Sequence, residues 1–279
     1  MTALLPHSVS CDKTGIRLKQ NKLKEKLTII KVSGKIIEKP EALKLFIRKL
    51  STVGGRKLVI HSGSNLASML AERMGVKITE IDSRPVVDDN TLNVLAMVYA
   101  GRVNKQLVAL LQARKINALG LTGADLNLIT SVKRGMGGID MGNTGEVRSV
   151  NAVTLSKLID DGVLPVIAPL SHDGKGGLLF NETDAMAAEI AKALALRYDV
   201  TLVYCFEKKG VLLNPKDPDS VVAELKRTRY KALRELEIIN DWFVNKLENA
   251  FSAIDHGVKE VIITNAAQLS HLELGTHIK

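Results

Sequence analysis

Lys31 carries the most chemical promise when the residues are read alone. It lies near the end of a β-branched run, Leu27-Thr28-Ile29-Ile30-Lys31-Val32, and Ser33-Gly34 follows almost at once. In parallel α/β sheets, ligands gather outside the carboxyl ends of the strands, and an ammonium there can neutralise a phosphoryl group in transfer. A lysine that merely snorkels to solvent fits the same pattern equally well. Further glycine turns occur at Ser62-Gly63-Ser64, Gly123 and Gly210. Such turns bring backbone N–H groups close to phosphate oxygens, although loop glycines more often only turn the chain. Neither Gly-x4-Gly-Lys-[Ser/Thr] nor a helix-opening Gly-x-Gly-x-x-Gly occurs, so a phosphate site must be assembled from separate turns. His172, His256, His271 and His277 lack metal-ligand spacing, and no protein metal site is expected. Ser62 and Ser64 have no evident base partner, which argues against a hydrolase triad. His61 reads as a structural hydrogen-bonding group at a strand end, and Cys205 as a small core residue.

The elements that position these residues alternate. The run 27–32 is followed by helical spacing of Leu43, Phe46, Ile47 and Leu50 after Pro40. Strand 58–61 leads into a helix from Leu66 to Met74. Residues 88–100 and 104–114 read as two helices, 117–123 as a strand, 152–161 as a helix and 163–168 as a buried strand. Residues 135–145 are too glycine-rich for a regular element and read as a loop or hairpin. A strong helix covers 184–196, a strand 199–205, a helix 243–256 and a late strand 258–264. This order predicts an α/β fold with a largely parallel sheet.

Composition narrows the function classes. The chain has 279 residues, of which 46% are hydrophobic and 25% charged, so a packed core is expected and wholesale disorder is not. Only Cys11 and Cys205 are present, which is no disulfide framework and points to a reducing, cytoplasmic setting. No apolar run approaches the ~20 residues of a membrane helix. The net charge of +9 suits an anionic substrate, whereas 4% aromatic residues disfavours a single-strand nucleic-acid platform. Lys13, Arg17, Lys19, Lys22, Lys24 and Lys26 form a basic leader over 1–26, ahead of one domain over 27–279.

Several segments together resemble a known family. They are Ile30-Lys31-Val32-Ser33-Gly34-Lys35, Ile60-His61-Ser62-Gly63-Ser64, Gly101-Arg102-Val103-Asn104-Lys105, Ala118 through Asp125, Pro165 through Leu170, and Asn245-Lys246-Leu247-Glu248-Asn249-Ala250. Their order and spacing are similar to the N-acetylglutamate kinase branch of the amino acid kinase family, over nearly all of 27–278. The segment from Tyr204 to Leu212 looks like the Bacteroidetes form, whose members include enzymes acting on N-succinylglutamate.

The resemblance implies a three-layer α/β/α sandwich of the amino acid kinase type. It also implies transfer of the γ-phosphoryl of ATP, with Mg2+, to the side-chain carboxylate of an N-acyl-glutamate in arginine biosynthesis, by a homodimer without nucleic-acid or membrane partners. Lys31 and Lys246 match the two catalytic lysines and Asp184 the carboxylate that orients them. Gly63, Ser64 and Arg84, in the N-terminal half, and Asn181 fall on the substrate side. Gly34, Glu207, Lys209 and Gly210 fall on the nucleotide side, mostly beyond about residue 180. Read without the resemblance, Lys246 is a solvated helical lysine and Asp184 an N-cap.

Departures from the family pattern cluster around the acceptor. Ser33 and Ser62 replace glycines and should crowd backbone near a ligand. Pro85 stands where an arginine grips the substrate's α-carboxylate, leaving Arg84 to substitute. Phe180 stands for an asparagine, and Asn240-Asp241-Trp242 for Gly-Gly-Met. These changes leave two further expectations open: a kinase for another carboxylate, and a catalytically silent or regulatory paralogue.

Overall fold

A computed structural model of the protein describes residues 24–81, 84–239 and 241–279. Among these residues, the first four strands are β1 (Glu25–Val32), β2 (Arg56–His61), β3 (Thr79–Ile81) and β4 (Arg84–Val86). Then come β5 (Ala118–Leu121), β6 (Ile129–Met136), β7 (Ile139–Val150), β8 (Leu164–Ile167), β9 (Leu170–His172) and β10 (Leu178–Asn181). The last are β11 (Tyr198–Phe206), β12 (Glu224–Leu225), β13 (Glu260–Asn265) and β14 (Thr276–Ile278). The first helices are α1 (Gly34–Glu38), α2 (Pro40–Leu50), α3 (Ser64–Arg73), α4 (Asp89–Ala96) and α5 (Asn104–Gln112), and the later ones α6 (Ala152–Asp160), α7 (Thr183–Ala195), α8 (Arg227–Glu235) and α9 (Asp241–Asp255).

The main sheet runs β12-β14-β13-β11-β1-β2-β8-β5. From β13 to β5 every pairing is parallel, and β14 adds antiparallel to β13. Strand side chains alternate between faces, and two separate apolar cores show the result. Leu27, Ile29, Leu58, Ile60, Leu202 and Tyr204 face the layer of α6, α7, α8 and α9. Ile30, Val32, Val59, Val203 and Cys205 face α1 to α5. This is the expected α/β/α sandwich. By the same alternation, Lys31 shares the face of Leu27 and Ile29, toward α7 and α9. His61 shares the face of Val59, toward α5.

A small closed barrel, β10-β7-β6-β9, sits beyond the carboxyl ends of the sheet strands, with the β3-β4 hairpin beside it. Asn181 ties the barrel together. Its carbonyl accepts from the Ser171 hydroxyl at 2.5 Å, and its amide donates to Ser131 Oγ at 3.0 Å and to the Gly145 carbonyl at 3.1 Å.

The glycine-rich stretch takes the hairpin form of its two readings: strands continue to Met136 and resume at Ile139, and Gly137 and Gly138, with φ of 56° and 84°, turn the chain. Other expectations need correction. Residues 89–112 form one continuous helix through a π-helical segment, Met97–Val103, not two helices. At 24 residues and a mean hydropathy of 1.2 over its best window, this helix is long and apolar enough to cross a membrane. In this fold its buried stripe of Val94, Leu95, Val98 and Tyr99 packs into the core. Glu25 and Lys26, assigned to the basic leader, already belong to β1. The rest of that leader, up to residue 23, lies outside the described residues.

Helix α9 is held by Phe251, 1% exposed, which packs on Tyr230 with ring centroids 5.4 Å apart and lies under the Arg227 guanidinium at 4.7 Å. Phe251→Ala should lower unfolding free energy in urea by about 3–5 kcal/mol, the usual cost of a large cavity in a packed core.

Candidate active site

Strand β1 brings Lys31 to the carboxyl edge of the sheet, in register with Tyr204 on β11 and Ile60 on β2. Helix α7 begins above that edge. Its N-cap is Glu182, and Asp184 follows in the first turn, so the capping role expected of Asp184 from sequence does not hold. The carboxylate instead faces two ammonium groups. Lys31 Nζ lies 2.7 Å from Asp184 Oδ1, and Lys246 Nζ, from α9, lies 2.6 Å from Oδ2. The side chains of Lys31 and Lys246 are 9% and 4% exposed, so neither is a solvated surface lysine.

Three further contacts hold the triad. Lys246 Nζ sits 5.0 Å from the centroid of the Tyr204 ring, a cation–π approach. The Tyr204 hydroxyl donates to the Asp184 carbonyl at 3.1 Å, pinning the first turn of α7 to β11. The positive end of the α7 dipole favours a carboxylate at this position.

The electrostatics follow from this packing. Burial works against the Asp184 carboxylate, but the Lys246 and Lys31 ammoniums outweigh it and hold the group far below the usual carboxylate range. Burial dominates at Lys246, whose pKa is lowered to about 8 despite the Asp184 carboxylate beside it, with the Lys31 charge adding to the depression. With both lysines protonated, the cluster carries one net positive charge in a site of low polarisability. That charge suits a phosphoryl group developing negative charge in transfer.

The turns after β1 and β2 are partly committed to the fold. The Ser33 N–H donates to the Cys205 carbonyl at 2.9 Å, and Ser62 N–H to the Val32 carbonyl at 3.3 Å. Ser33 is extended, with φ −73° and ψ 152°, a conformation that a residue with a Cβ adopts without backbone strain. Its buried hydroxyl makes no hydrogen bond to any described residue. Gly34 opens α1 next to it, where first-turn amides lack intrahelical acceptors. Gly63 is the N-cap of α3, and a Cβ there would meet Tyr99 and Val103 at 3.2 Å.

On the other face, Asn104 donates to His61 Nε2 at 3.1 Å and to the Val166 carbonyl at 2.8 Å. Burial lowers the His61 pKa to about 4, so it is a neutral structural group.

The remaining expected site residues divide. Arg84 lies on β4, beside the cavity described below. The Asn181 amide is held by the barrel contacts given above and positions the segment leading into α7, and the residue also lines the cavity described below. Gly210 is explained by packing, since a Cβ there would lie 2.5 Å from Thr276 Oγ1, and so needs no nucleotide to account for it. Lys209 pairs with Asp219, and Glu207 is exposed just past β11. The side chains of Ser64, Asp241 and Trp242, and all of Asn240, lie outside the described residues.

The sequence reading missed Tyr204, Glu182 and Arg134. Tyr204 was accessible through strand alternation, being two residues beyond Leu202 on the Lys31 face. Arg134 and Glu182 had no local signal. They line a cavity of about 220 Å³ between the barrel, α7 and α9, together with Arg84 and Asn245. No group of three or more His, Cys, Asp or Glu among the described residues could hold a metal ion.

Comparisons with known proteins agree with this geometry. The profile of the amino acid kinase family matches residues 26–265. An acetylglutamate kinase of Phocaeicola vulgatus is 49% identical over 257 residues, 92% of this chain and 100% of that protein. One from Bacteroides thetaiotaomicron is 47% identical over 257 residues, with the same two coverages. Among solved structures, an N-acetylglutamate synthase from Neisseria gonorrhoeae shares the fold, with a TM-score of 0.77 at 22% identity over 90% of this chain and 59% of that one.

Titration of Lys246 should be visible in activity. kcat/KM for ATP reports the free enzyme, and it should fall as pH rises through about 8, where Lys246 loses its charge. Asp184→Asn should move that limb to lower pH, because the two ammoniums then repel without a counter-charge. It should also cost about 3–5 kcal/mol in urea unfolding, as for other broken buried pairs. Asp184 stabilises the fold above the usual carboxylate range, and that contribution is lost as pH falls through its depressed pKa.

Proposed function

This chain belongs to the amino acid kinase family, and we propose that it is an acetylglutamate kinase, transferring the γ-phosphoryl group of ATP to the side-chain carboxylate of an N-acyl-L-glutamate in arginine biosynthesis. The observation that carries this reading is the convergence of Lys31 and Lys246 on Asp184 at the carboxyl edge of the sheet.

The chemistry needs little beyond that. A carboxylate oxygen attacks the γ-phosphorus in line, the bond to the β,γ-bridging oxygen breaks, and ADP departs with the electron pair, leaving an acyl phosphate. The carboxylate is already a nucleophile, so no general base is required. Catalysis reduces to positioning and neutralisation of charge. Lys31 and Lys246 supply the charge from β1 and α9, and Asp184 sets their spacing. Magnesium enters with the nucleotide, held chiefly by its phosphates as Mg-ATP.

In this reading the N-terminal half holds the acyl-glutamate near Gly63 and Arg84. Residues from about 180 onward hold the nucleotide, near Glu207 and Lys209. The protein works as a homodimer through its N-terminal half, supported by the exposed Met69, Met74 and Met97 on α3 and the adjoining long helix. Light scattering in solution should give twice the 30.4 kDa chain mass. A cytoplasmic location agrees with Cys205 being a free thiol buried in the core.

The decisive assay is ADP formation from Mg-ATP with N-acetylglutamate, with N-succinylglutamate, and with no acceptor. Acceptor-dependent ADP is expected, and its absence with both compounds would refute the reading. Lys31→Ala and Lys246→Ala should each lower kcat by about 10²–10³, the usual loss for one transition-state donor, with a far smaller change in thermal stability.

A further inference from the structure

An acyl-glutamate presents two carboxylates. The one that accepts the phosphoryl group must lie at Lys31 and Lys246, and the α-carboxylate lies a few bonds away. The sequence offers Arg84 for it, next to a proline. The structure adds a second guanidinium. Arg84 from β4 and Arg134 from β6 enter the same cavity and reach the same oxygen: Arg84 Nε is 3.9 Å and Arg134 Nη1 is 3.5 Å from Glu182 Oε2. Lys31, Asp184 and Lys246 do not line this cavity, but Glu182 on its wall is close enough for its charge to act on Lys246.

Both distances exceed the ~2.7–2.9 Å of a charge-assisted hydrogen bond. Glu182 therefore draws the two guanidiniums toward one oxygen by charge attraction at these distances. Other carboxylates on the cavity wall have different engagements. Glu189 pairs with Lys192 at 2.8 Å, Glu248 accepts from the Tyr230 hydroxyl at 2.8 Å, and Glu146 is exposed. Two planar forks converging on one point match a planar carboxylate better than a spherical anion.

We propose that Arg134 is a substrate-binding residue which, with Arg84, grips the α-carboxylate of the acyl-glutamate, and that Glu182 is a positioning residue holding the pair together until substrate enters. This inference rests on the kinase reading above.

The test compares N-acetyl-L-glutamate with its α-amide, N-acetyl-L-isoglutamine, which keeps the accepting carboxylate. For the acid, Arg134→Ala should raise KM about 10- to 100-fold, as expected for losing a hydrogen bond to a charged group, with kcat within about threefold. Arg134→Lys should recover part of that loss. For the amide, wild type and Arg134→Ala should differ by less than about threefold, because the partner charge is already gone. Glu182→Gln should raise KM for the acid with kcat little changed. An unchanged KM in Arg134→Ala overturns the assignment, as does an equal penalty for acid and amide, which would place Arg134 elsewhere on the substrate. If wild-type protein makes no acceptor-dependent ADP, the kinase reading fails and this inference with it; a wild type that turns over while the arginine variants behave as wild type sinks the inference alone.

Discussion

A single carboxylate between two buried ammoniums sets the geometry on which the rest of the site depends. Asp184 joins β1, α7 and α9, three elements far apart in the chain, through contacts of 2.7 and 2.6 Å. Such a cluster is a poor means of stabilising a fold, because desolvating three charges offsets most of their attraction. What it provides is spacing. Two cations that repel one another are held in one small volume with a surplus of one positive charge, and the position is fixed before any ligand arrives. Preorganised charge of this kind needs no rearrangement as phosphoryl transfer proceeds. Depression of the Lys246 pKa to about 8 is the physical consequence of burying that charge, with Lys31 beside it adding to the effect and the Asp184 carboxylate opposing it.

The surrounding fold separates two tasks. The sheet aligns the strand ends, so that Lys31 sits in register with Tyr204 and Val32 with His61. His61, bonded to Asn104, fixes α5 to the opposite face of the same edge without taking part in proton chemistry. The small barrel then carries the chain from β10 into α7. With its amide satisfied three ways by Ser171, Ser131 and Gly145, Asn181 sets where Glu182 and Asp184 begin. A buried amide with every partner present rigidifies its surroundings, and here those surroundings are the first turn of the catalytic helix.

How much of this was legible depended on whether the signal was local. The sheet was legible because β-branched runs such as Leu27–Val32 alternate with helical spacing. The side on which Lys31 lies followed from counting by two along β1. The family resemblance, and not any spacing of their own, marked Lys246 and Asp184: each looks ordinary within its helix, and only the packing of α7 against α9 makes them neighbours. At 135–145 the glycines left loop and hairpin both open, and only the pairing of β6 with β7, with a bulge near Gly135, decides for the hairpin. The long helix was read as two, over 88–100 and 104–114, whereas a π-helical segment carries it through Met97–Val103. Arg134 could not be found at all, since its meaning comes from Arg84 and Glu182, which meet it only through barrel closure.

The distribution of departures from the family pattern has a physical sense. The transferring group is the same in every kinase, and its charge must be met at fixed positions, so Lys31, Asp184 and Lys246 leave no latitude. Binding an acceptor is more permissive, because a carboxylate can be gripped from several directions provided that guanidiniums reach it. Pro85 gives up one donor, and the side chain of Phe180 stacks on Tyr99 at 5.8 Å in place of a polar contact. In the same region Glu182 gathers Arg84 and Arg134. The three side chains are 24–34% exposed and lie 3.5 and 3.9 Å apart at their nearest charged atoms, so each keeps a counter-charge at modest desolvation cost while staying open to a ligand. That is the arrangement the proposed α-carboxylate grip requires.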